Sequence, residues 1–326
     1  MRVTPSGNPG APFVISNNTD RQAHPDVLFD GTNFIIVYAD EGYTNQAICG
    51  ARVTPAGNVL DPNGKLLISG SEGYSLPKIS SDGTNLMLVY KNNVLTTGYI
   101  YGQRLSTSLE KIGSSFTVSS STNRKDDLRI SFDGNNYLVA WIERETYFTS
   151  RILCRIVTPQ GNIPGGEITI VSGISYQSAS FDLCFTGTNY FLVYSNGTSL
   201  KGQYISPSGQ LVGSSFTIAS STNGISTPAL CWVNGNFLLT YSKNNSTDYD
   251  IYGNTEIINV NENILSPPAF KKEKATFISE WFPLKKGEQL YDKSGRRITN
   301  PGSSGIYFIR YKEGTQIKIR KVIYLK

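Results

Sequence analysis

Along residues 1–260, short apolar runs alternate with polar turn sequences at a regular interval. Each run is almost continuously apolar and directly follows a turn. Strands of this kind are buried on both faces, which in an antiparallel protein requires other sheets on either side. The five runs are Phe34-Ile35-Ile36-Val37-Tyr38, Leu86-Met87-Leu88-Val89-Tyr90, Tyr137-Leu138-Val139-Ala140-Trp141, Tyr190-Phe191-Leu192-Val193-Tyr194 and Phe237-Leu238-Leu239-Thr240-Tyr241.

The turns that precede these runs form an internal repeat. Most of them contain Asp-Gly or Asn-Gly, which tolerates the positive φ angles of a tight turn between two twisted antiparallel strands. The turns follow one another at steps of 52, 51, 53 and 48 residues, and they begin at Asp30, Asp82, Asp133, Thr186 and Asn234. We therefore predict a β-hairpin in each of five repeats.

Each repeat continues with two further predicted strands. The third strand ends, in most repeats, in a Pro-x-Gly turn such as Thr54-Pro55-Ala56-Gly57, where proline sets the first corner and glycine takes the left-handed position. A fourth, more polar strand then closes the unit. Four antiparallel strands in about 50 residues is the period of a propeller blade, so the sequence predicts an all-β fold, a β-propeller of four-stranded blades.

The number of blades is less constrained than their structure. Five is the first choice, with the segment 2–15 completing the blade that residues 230–241 begin. The alternative is a larger ring of six or seven blades, truncated at its N-terminus. The chain begins in the middle of a repeat, and no apolar signal-peptide core follows Met1. We therefore expect that the start of the precursor is missing or that the protein stays inside the cell.

The repeats resemble those of secreted bacterial propeller proteins, whose pattern is DGTNYLVVW followed by IYGxRVTPxGxVLDPxGxxIS. The resemblance rests on the Asp-Gly turns, the apolar runs and the Pro-x-Gly turns described above, and it extends over residues 1–260. It implies a propeller in a secreted or surface-displayed protein. The predicted location is therefore extracellular or at the cell surface.

A second domain follows the repeats. Residues 261–276 have the proline and charge of a linker, and residues 277–326 show alternating strands around Ser-Gly and Glu-Gly turns, which predicts a small antiparallel β-sandwich. The charge changes at the same boundary. Residues 261–326 hold 14 Lys and Arg against 6 Asp and Glu, whereas residues 1–260 hold 16 against 19. The large domain offers no net attraction to a phosphate backbone, so we expect no nucleic-acid partner.

The C-terminal domain resembles the sorting domains that the type IX secretion machinery recognises. Three blocks occur in the expected order: YDKSGRR, GIYFIR and a final KVIYLK. The resemblance implies export or anchoring, with the secretion machinery as a partner; a β-domain that caps the propeller is the alternative. The motif residues are Tyr291, Gly295, Arg296, Gly305, Ile306, Tyr307, Lys321 and Lys326.

No catalytic or cofactor motif is evident. The single histidine, His24, precedes Pro25 in a polar stretch and is predicted to be a loop residue, so no catalytic residue is assigned. The four cysteines are far apart and mostly lie among apolar strand residues, which favours buried free thiols. We predict no metal and no cofactor. No apolar run reaches the length of a transmembrane helix.

Candidate binding residues lie in loops that differ from repeat to repeat. The turns of the repeat share one end of the ring, and the variable loops share the other. Acidic and tyrosine side chains side by side suit the recognition of an extracellular glycan or protein. We therefore favour a binding or display module over an enzyme, and keep a glycoside hydrolase or sialidase-like enzyme and a structural subunit of a surface layer or filament as alternatives. The candidates are Asp40, Glu41, Tyr43, Glu143, Arg144, Tyr147, Asp248, Tyr249 and Asp250.

Overall fold

The computed structural model of the protein shows strands and turns and, among the residues it describes, no helix. The all-β prediction is therefore confirmed. None of these residues belongs to a helix that would be long and apolar enough to cross a membrane. The chain divides into two compact units, Met1–Asn259 and Val260–Lys326. The structure describes residues 10–43, 45–92, 98–233, 236–244, 246, 248–254, 276–278, 289–291, 297–298, 305–313 and 316–324.

Three blades with the predicted four antiparallel strands make up the first part of the first unit. In each of them the strands pair in the order of the chain. The first blade contains β1 (Gln22–Phe29), β2 (Phe34–Asp40), β3 (Ala47–Val53) and β4 (Lys65–Ile68). The second contains β5 (Tyr74–Ser81), β6 (Leu86–Asn92), β7 (Ile100–Leu105) and β8 (Lys111–Thr117). The third contains β9 (Lys125–Phe132), β10 (Tyr137–Arg144), β11 (Thr149–Val157) and β12 (Ile168–Ser175).

The fourth and fifth repeats share one six-stranded sheet, which corrects the prediction of five separate blades. The segment that connects the two repeats stays extended and pairs with the preceding strand, since Ser220 lies opposite Ser199 and Ile225 opposite Gly197. The fourth strand of one repeat thus continues into the first strand of the next. The sheet contains β13 (Ser180–Phe185), β14 (Tyr190–Ser195), β15 (Gly197–Ile205), β16 (Leu211–Val233), β17 (Asn236–Asn244) and β18 (Tyr249–Asn254).

The core lies between successive repeats, as the continuous apolar runs predict. Leu88 of β6 packs in the cluster shared with the first blade, and the next residue, Val89, packs in the cluster shared with the third. Each second strand therefore has a front face toward the preceding repeat and a back face toward the following one. Equivalent apolar clusters lie between the third and fourth repeats and between the fourth and fifth.

The second unit contains five described strands in one sheet, in the order β19-β23-β22-β20-β21. The prediction of antiparallel pairing holds except at one place, where β19 runs parallel to β23, and the described strands form this one sheet instead of the two sheets of a sandwich. The strands are β19 (Thr276–Ile278), β20 (Gln289–Tyr291), β21 (Arg297–Ile298), β22 (Gly305–Glu313) and β23 (Gln316–Tyr324).

Candidate functional site

The innermost strands of the propeller carry charged side chains at one repeated position. The inner strands β1, β5, β9, β13 and the second half of β16 pack against one another in succession. In the first four repeats, the residue that pairs with the middle of the second strand is charged. We call this set the charged row, and it consists of Asp26, Lys78, Arg129 and Asp182, opposite Val37, Val89, Ala140 and Val193.

The two carboxylates of the charged row make the same contact with the next inner strand. Asp26 Oδ1 lies 3.3 Å from Lys78 Nζ, and its Oδ2 accepts a hydrogen bond of 2.9 Å from the backbone N–H of Ile79. Three repeats later, Asp182 Oδ2 accepts a hydrogen bond of 2.6 Å from the N–H of Leu230, the residue equivalent to Ile79. Each carboxylate therefore connects two neighbouring repeats on the side of the inner strands.

The strands β1, β5 and β9 each have a bulge two residues before their member of the charged row, and β16 has one at the equivalent place in the fifth repeat. The bulged residues have positive φ angles: 53° at His24, 51° at Leu76, 44° at Asp127 and 49° at Thr227, and the pairing register shifts at each place. Such backbone angles are uncommon for residues other than glycine, and bulges are frequent next to functional sites. The bulges therefore mark this part of the inner strands as a candidate site.

His24 is one of these bulged residues, which corrects the prediction that it lies in a loop. It is within β1, two residues from Asp26. Burial, and to a smaller extent the positive charges of Arg21 and Lys91, lowers the pKa of His24. The imidazole is therefore neutral at physiological pH.

The strand β9 adds two more carboxylates beside the charged row. Arg129 contacts Asp127 on its own strand and Asp182 on the next, its Nε lying 2.7 Å from Asp182 Oδ1. Burial would lower the pKa of Arg129, but these two carboxylates outweigh it and raise the pKa. Asp126 Oδ1 lies 3.1 Å from Arg124 Nε, whereas its Oδ2 is buried and has no hydrogen-bond partner among the described residues.

The first group of predicted binding residues, Asp40, Glu41 and Tyr43, lies at the junction of β2 and β3. Asp40 is fully buried at the end of β2, where it accepts hydrogen bonds of 2.9 Å from Gly42 N and 3.0 Å from Asn18 Nδ2. Glu41 is paired with Arg21 at the surface. Asp40 and Tyr43 line a polar pocket of about 430 Å³, together with Asn17, Asn18, Thr19, Asp20, Gly42 and Asn63.

The second group of predicted binding residues consists of Glu143, Arg144 and Tyr147, and their side chains differ in burial. Glu143, at the end of β10, is fully buried in an ion cluster with Lys125 and Arg151. Arg144 stacks on Tyr176, with its guanidinium carbon 3.6 Å from the ring centroid, and lies 5.7 Å from the ring centroid of Tyr147. Tyr147 itself is exposed. Only part of this set is therefore accessible to a partner.

The third group of predicted binding residues lies where β18 begins. Asp248, Tyr249 and Asp250 are exposed at the start of β18, so the three groups lie in three different sheets.

The sorting-like motif of the C-terminal unit is partly described. Tyr291 lies in β20, Lys321 in β23, and Gly305, Ile306 and Tyr307 in β22. Tyr307 pairs with Val322 and Tyr291 with Phe308. Gly295, Arg296 and Lys326 lie outside the described residues.

Sequence reasoning did not identify the charged row, although a signal for it exists. Its members precede the turns at Asp30, Asp82, Asp133 and Thr186 by four residues in every case. An alignment of the repeats therefore places a charge at one inner-strand position. No metal centre accompanies it: the residues that the structure describes contain no cluster of three or more His, Cys, Asp or Glu arranged to hold a metal ion.

Solved structures with a similar fold include several enzymes. The endo-arabinase from Bacteroides thetaiotaomicron is 10% identical and covers 76% of this chain and 98% of its own, with a TM-score of 0.47. The α-L-arabinofuranosidase from Lactobacillus brevis is 10% identical and covers 70% and 85%, with a TM-score of 0.46. The GH43 endo-arabinanase from Bacillus licheniformis is 12% identical and covers 74% and 96%, with a TM-score of 0.43. Neither a protein-family model nor a curated protein matches the sequence.

The comparison corrects the preference for a binding or display module over an enzyme. The propellers found to be similar are enzymes, among them a thermostable family-43 glycoside hydrolase. The glycoside hydrolase that the sequence analysis kept as an alternative is the hypothesis that agrees with them. At these identities the likeness itself concerns the fold.

Proposed function

We propose that the propeller is a glycoside hydrolase whose reaction centre lies among the carboxylates of the inner strands. The observation that carries the proposal is the presence of half-buried carboxylates on three inner strands, two of which, β1 and β9, carry a backbone bulge beside them. In most glycoside hydrolases two carboxyl groups flank the scissile bond, one as general acid and one as base or nucleophile. Asp26 on β1, Asp126 and Asp127 on β9, and Asp182 on β13 supply the candidates.

The surroundings of these carboxylates suggest different roles. Asp182 accepts a hydrogen bond from a backbone N–H and forms an ion pair with Arg129, and these contacts hold its carboxylate in one orientation, as a base or nucleophile requires. Asp126, whose Oδ2 has no hydrogen-bond partner among the described residues, is the candidate for the second carboxyl group, the general acid. The pair of Asp182 and Asp126 is therefore the first to test.

We expect the full chain to hydrolyse at least one member of a panel of chromogenic arabinofuranosides, xylosides and galactosides, and D126N and D182N each to lower kcat/KM by about 100-fold or more. The matched control is D30N, because Asp30 belongs to an Asp-Gly turn and the fifth repeat has Asn234-Gly235 at the same place. The control should retain wild-type turnover. An inactive wild-type chain on this panel and on the corresponding polysaccharides would contradict the proposal.

We also propose that the C-terminal unit serves export, and that the protein acts outside the cell. The three sequence blocks in residues 277–326 and the separate compactness of Val260–Lys326 support this proposal. In this hypothesis the secretion machinery is the partner of the C-terminal unit.

Deleting residues 277–326 is expected to leave the propeller folded but retained in the periplasm of a host that carries the secretion system. Fractionation of such a host and thermal melts of the two chains give the measurement. A capping domain would act differently, since its loss would lower the melting temperature by several degrees, corresponding to about 1 kcal/mol or more. Unchanged secretion with a destabilised propeller would refute the export role.

A further inference from the structure

The front face of the first blade is more exposed than the same face of the later repeats. Phe34 is 40% exposed, whereas its four equivalents, Leu86, Tyr137, Tyr190 and Phe237, are 3% exposed or less. Val27 is 61% exposed, whereas its equivalents Ile79, Leu183 and Leu230 are buried and Ile130 is half-buried. Phe29 is exposed beside Phe34, with their ring centroids 5.0 Å apart. In each later repeat a preceding repeat covers these positions.

The back face of the fifth repeat is uncovered in the same way. Ile251 on β18 is 83% exposed, whereas the equivalent third-strand residues Ile48, Ile100, Ile152 and Leu200 are 1% exposed or less. Leu238 on β17 is 45% exposed, and its equivalents Ile35, Met87, Leu138 and Phe191 are 1% exposed or less. In the four preceding repeats the following repeat covers these positions.

The segment before the first blade lies where the fourth strand of a preceding blade would run. Its sequence Phe13-Val14-Ile15-Ser16-Asn17 matches Phe116-Thr117-Val118-Ser119-Ser120, which contains the end of the fourth strand of the second blade. Asn17 N donates to Asn63 Oδ1 just before β4, at 3.1 Å, as Ser120 N donates to Glu167 Oε1 just before β12, at 2.5 Å. Residues 13–17 therefore relate to the first blade as residues 116–120 relate to the third.

We propose that the front face of the first blade is a docking surface for the fifth repeat of a second copy of this chain. The docked repeat would bring its first three strands, β17, β18 and the second half of β16, to residues 13–17 of its partner, which would supply the fourth. This contact continues the interface that already joins each repeat to the next. It is heterologous, since one copy uses its front face and the other its back face.

The experiment measures the mass of the full chain by sedimentation velocity over a 100-fold range of concentration. The wild-type protein is expected to associate as its concentration rises. V27E damages the front face and I251E the back face, and each variant alone should remain monomeric. An equimolar mixture of the two should form dimers and nothing larger, because one undamaged front face then meets one undamaged back face.

The matched control is Y147E, which places the same charge at an exposed aromatic residue in the β10–β11 loop, away from both faces, and should associate as the wild type does. A wild-type chain that stays monomeric throughout the range would overturn the proposal. So would association that survives in V27E or I251E alone, or a mixture that does not associate, because each of these results excludes a head-to-tail contact through these two faces.

Discussion

Replacing Lys125 by Met is expected to lower the free energy of unfolding of the propeller by about 3–5 kcal/mol, because the change leaves a buried carboxylate without its main partner. The side chains of Lys125 and Glu143 are both fully buried, and Lys125 Nζ lies 2.8 Å from Glu143 Oε2. The ammonium also donates to the carbonyl oxygens of Ser121 and Asn123, at 2.9 and 2.7 Å. Urea denaturation followed by tryptophan fluorescence gives the measurement.

The control for this variant is Lys111→Met, which removes an exposed lysine from β8 and should change stability by less than about 0.5 kcal/mol. A double variant, Lys125→Met with Glu143→Leu, should recover part of the loss, because an apolar pair of similar volume avoids the cost of burying charge. If Lys125→Met and Lys111→Met are equally stable, the buried ion pair does not contribute to the fold.

The dependence of the free energy of unfolding on pH gives a second measurement on the ion cluster of Glu143. Burial alone would raise the pKa of Glu143, but hydrogen bonds from Lys125, Ser121 and Arg151 outweigh it and lower the pKa from 4.5 to about 2. A carboxyl group whose pKa falls on folding stabilises the protein above its unfolded pKa. This contribution, about 3 kcal/mol, is therefore present above pH 4.5 and lost as the pH falls toward 2. Glu143→Gln should lack this part of the acid dependence.

The strands could be predicted because the features that form them are local. Asp30, Asp82 and Asp133 each precede a glycine with a positive φ angle, and their carboxylates accept backbone hydrogen bonds within the turn. The apolar runs that follow Asp82 and Asp133 are buried on both faces, as their composition implies. Turn chemistry and strand burial both depend on residues next to one another in the sequence.

The joining of the last two repeats could not be predicted from the same signals. The residues near 214–223 closely match those near 114–123, yet the latter end a blade whereas the former continue through β16 into the fifth repeat. The difference arises from pairing with Gly197 and Ser199 of the neighbouring strand. Such pairing depends on tertiary contacts, which near-identical local sequences do not distinguish.

The burial of the predicted loop residues and the role of the charged row could not be predicted either, because both depend on contacts between segments that are distant in the sequence. Asp40 and Glu143 follow apolar strands and resemble solvent-exposed loop residues in the sequence, but both side chains turn inward to hold the segments before β1 and β9. Asp26 and Asp182, by contrast, occur in inner strands without any recognisable motif. Their significance becomes visible when the partner N–H groups of the next repeat are known.

Replacing Phe191 by Ala is expected to lower the free energy of unfolding by about 3–5 kcal/mol, the range typical of a fully buried phenylalanine. Phe191 lies on the back face of β14 and is completely buried against the fifth repeat. Its ring centroid is 4.8 Å from that of Phe237, and it also packs on Tyr204 at 4.5 Å. Removing the ring leaves a cavity between two repeats. Urea denaturation of the dilute protein measures the loss.

The matched control is Leu238→Ala, because Leu238 occupies the same position in the fifth repeat but is 45% exposed. Since so much of its side chain is exposed, the dilute chain should lose about 1 kcal/mol or less. At concentrations at which two copies associate, the same substitution should become more costly, because docking buries the side chain as the fifth repeat buries Phe191. Equal losses for the two variants in dilute solution would mean that the back face of the fifth repeat is already covered within one chain.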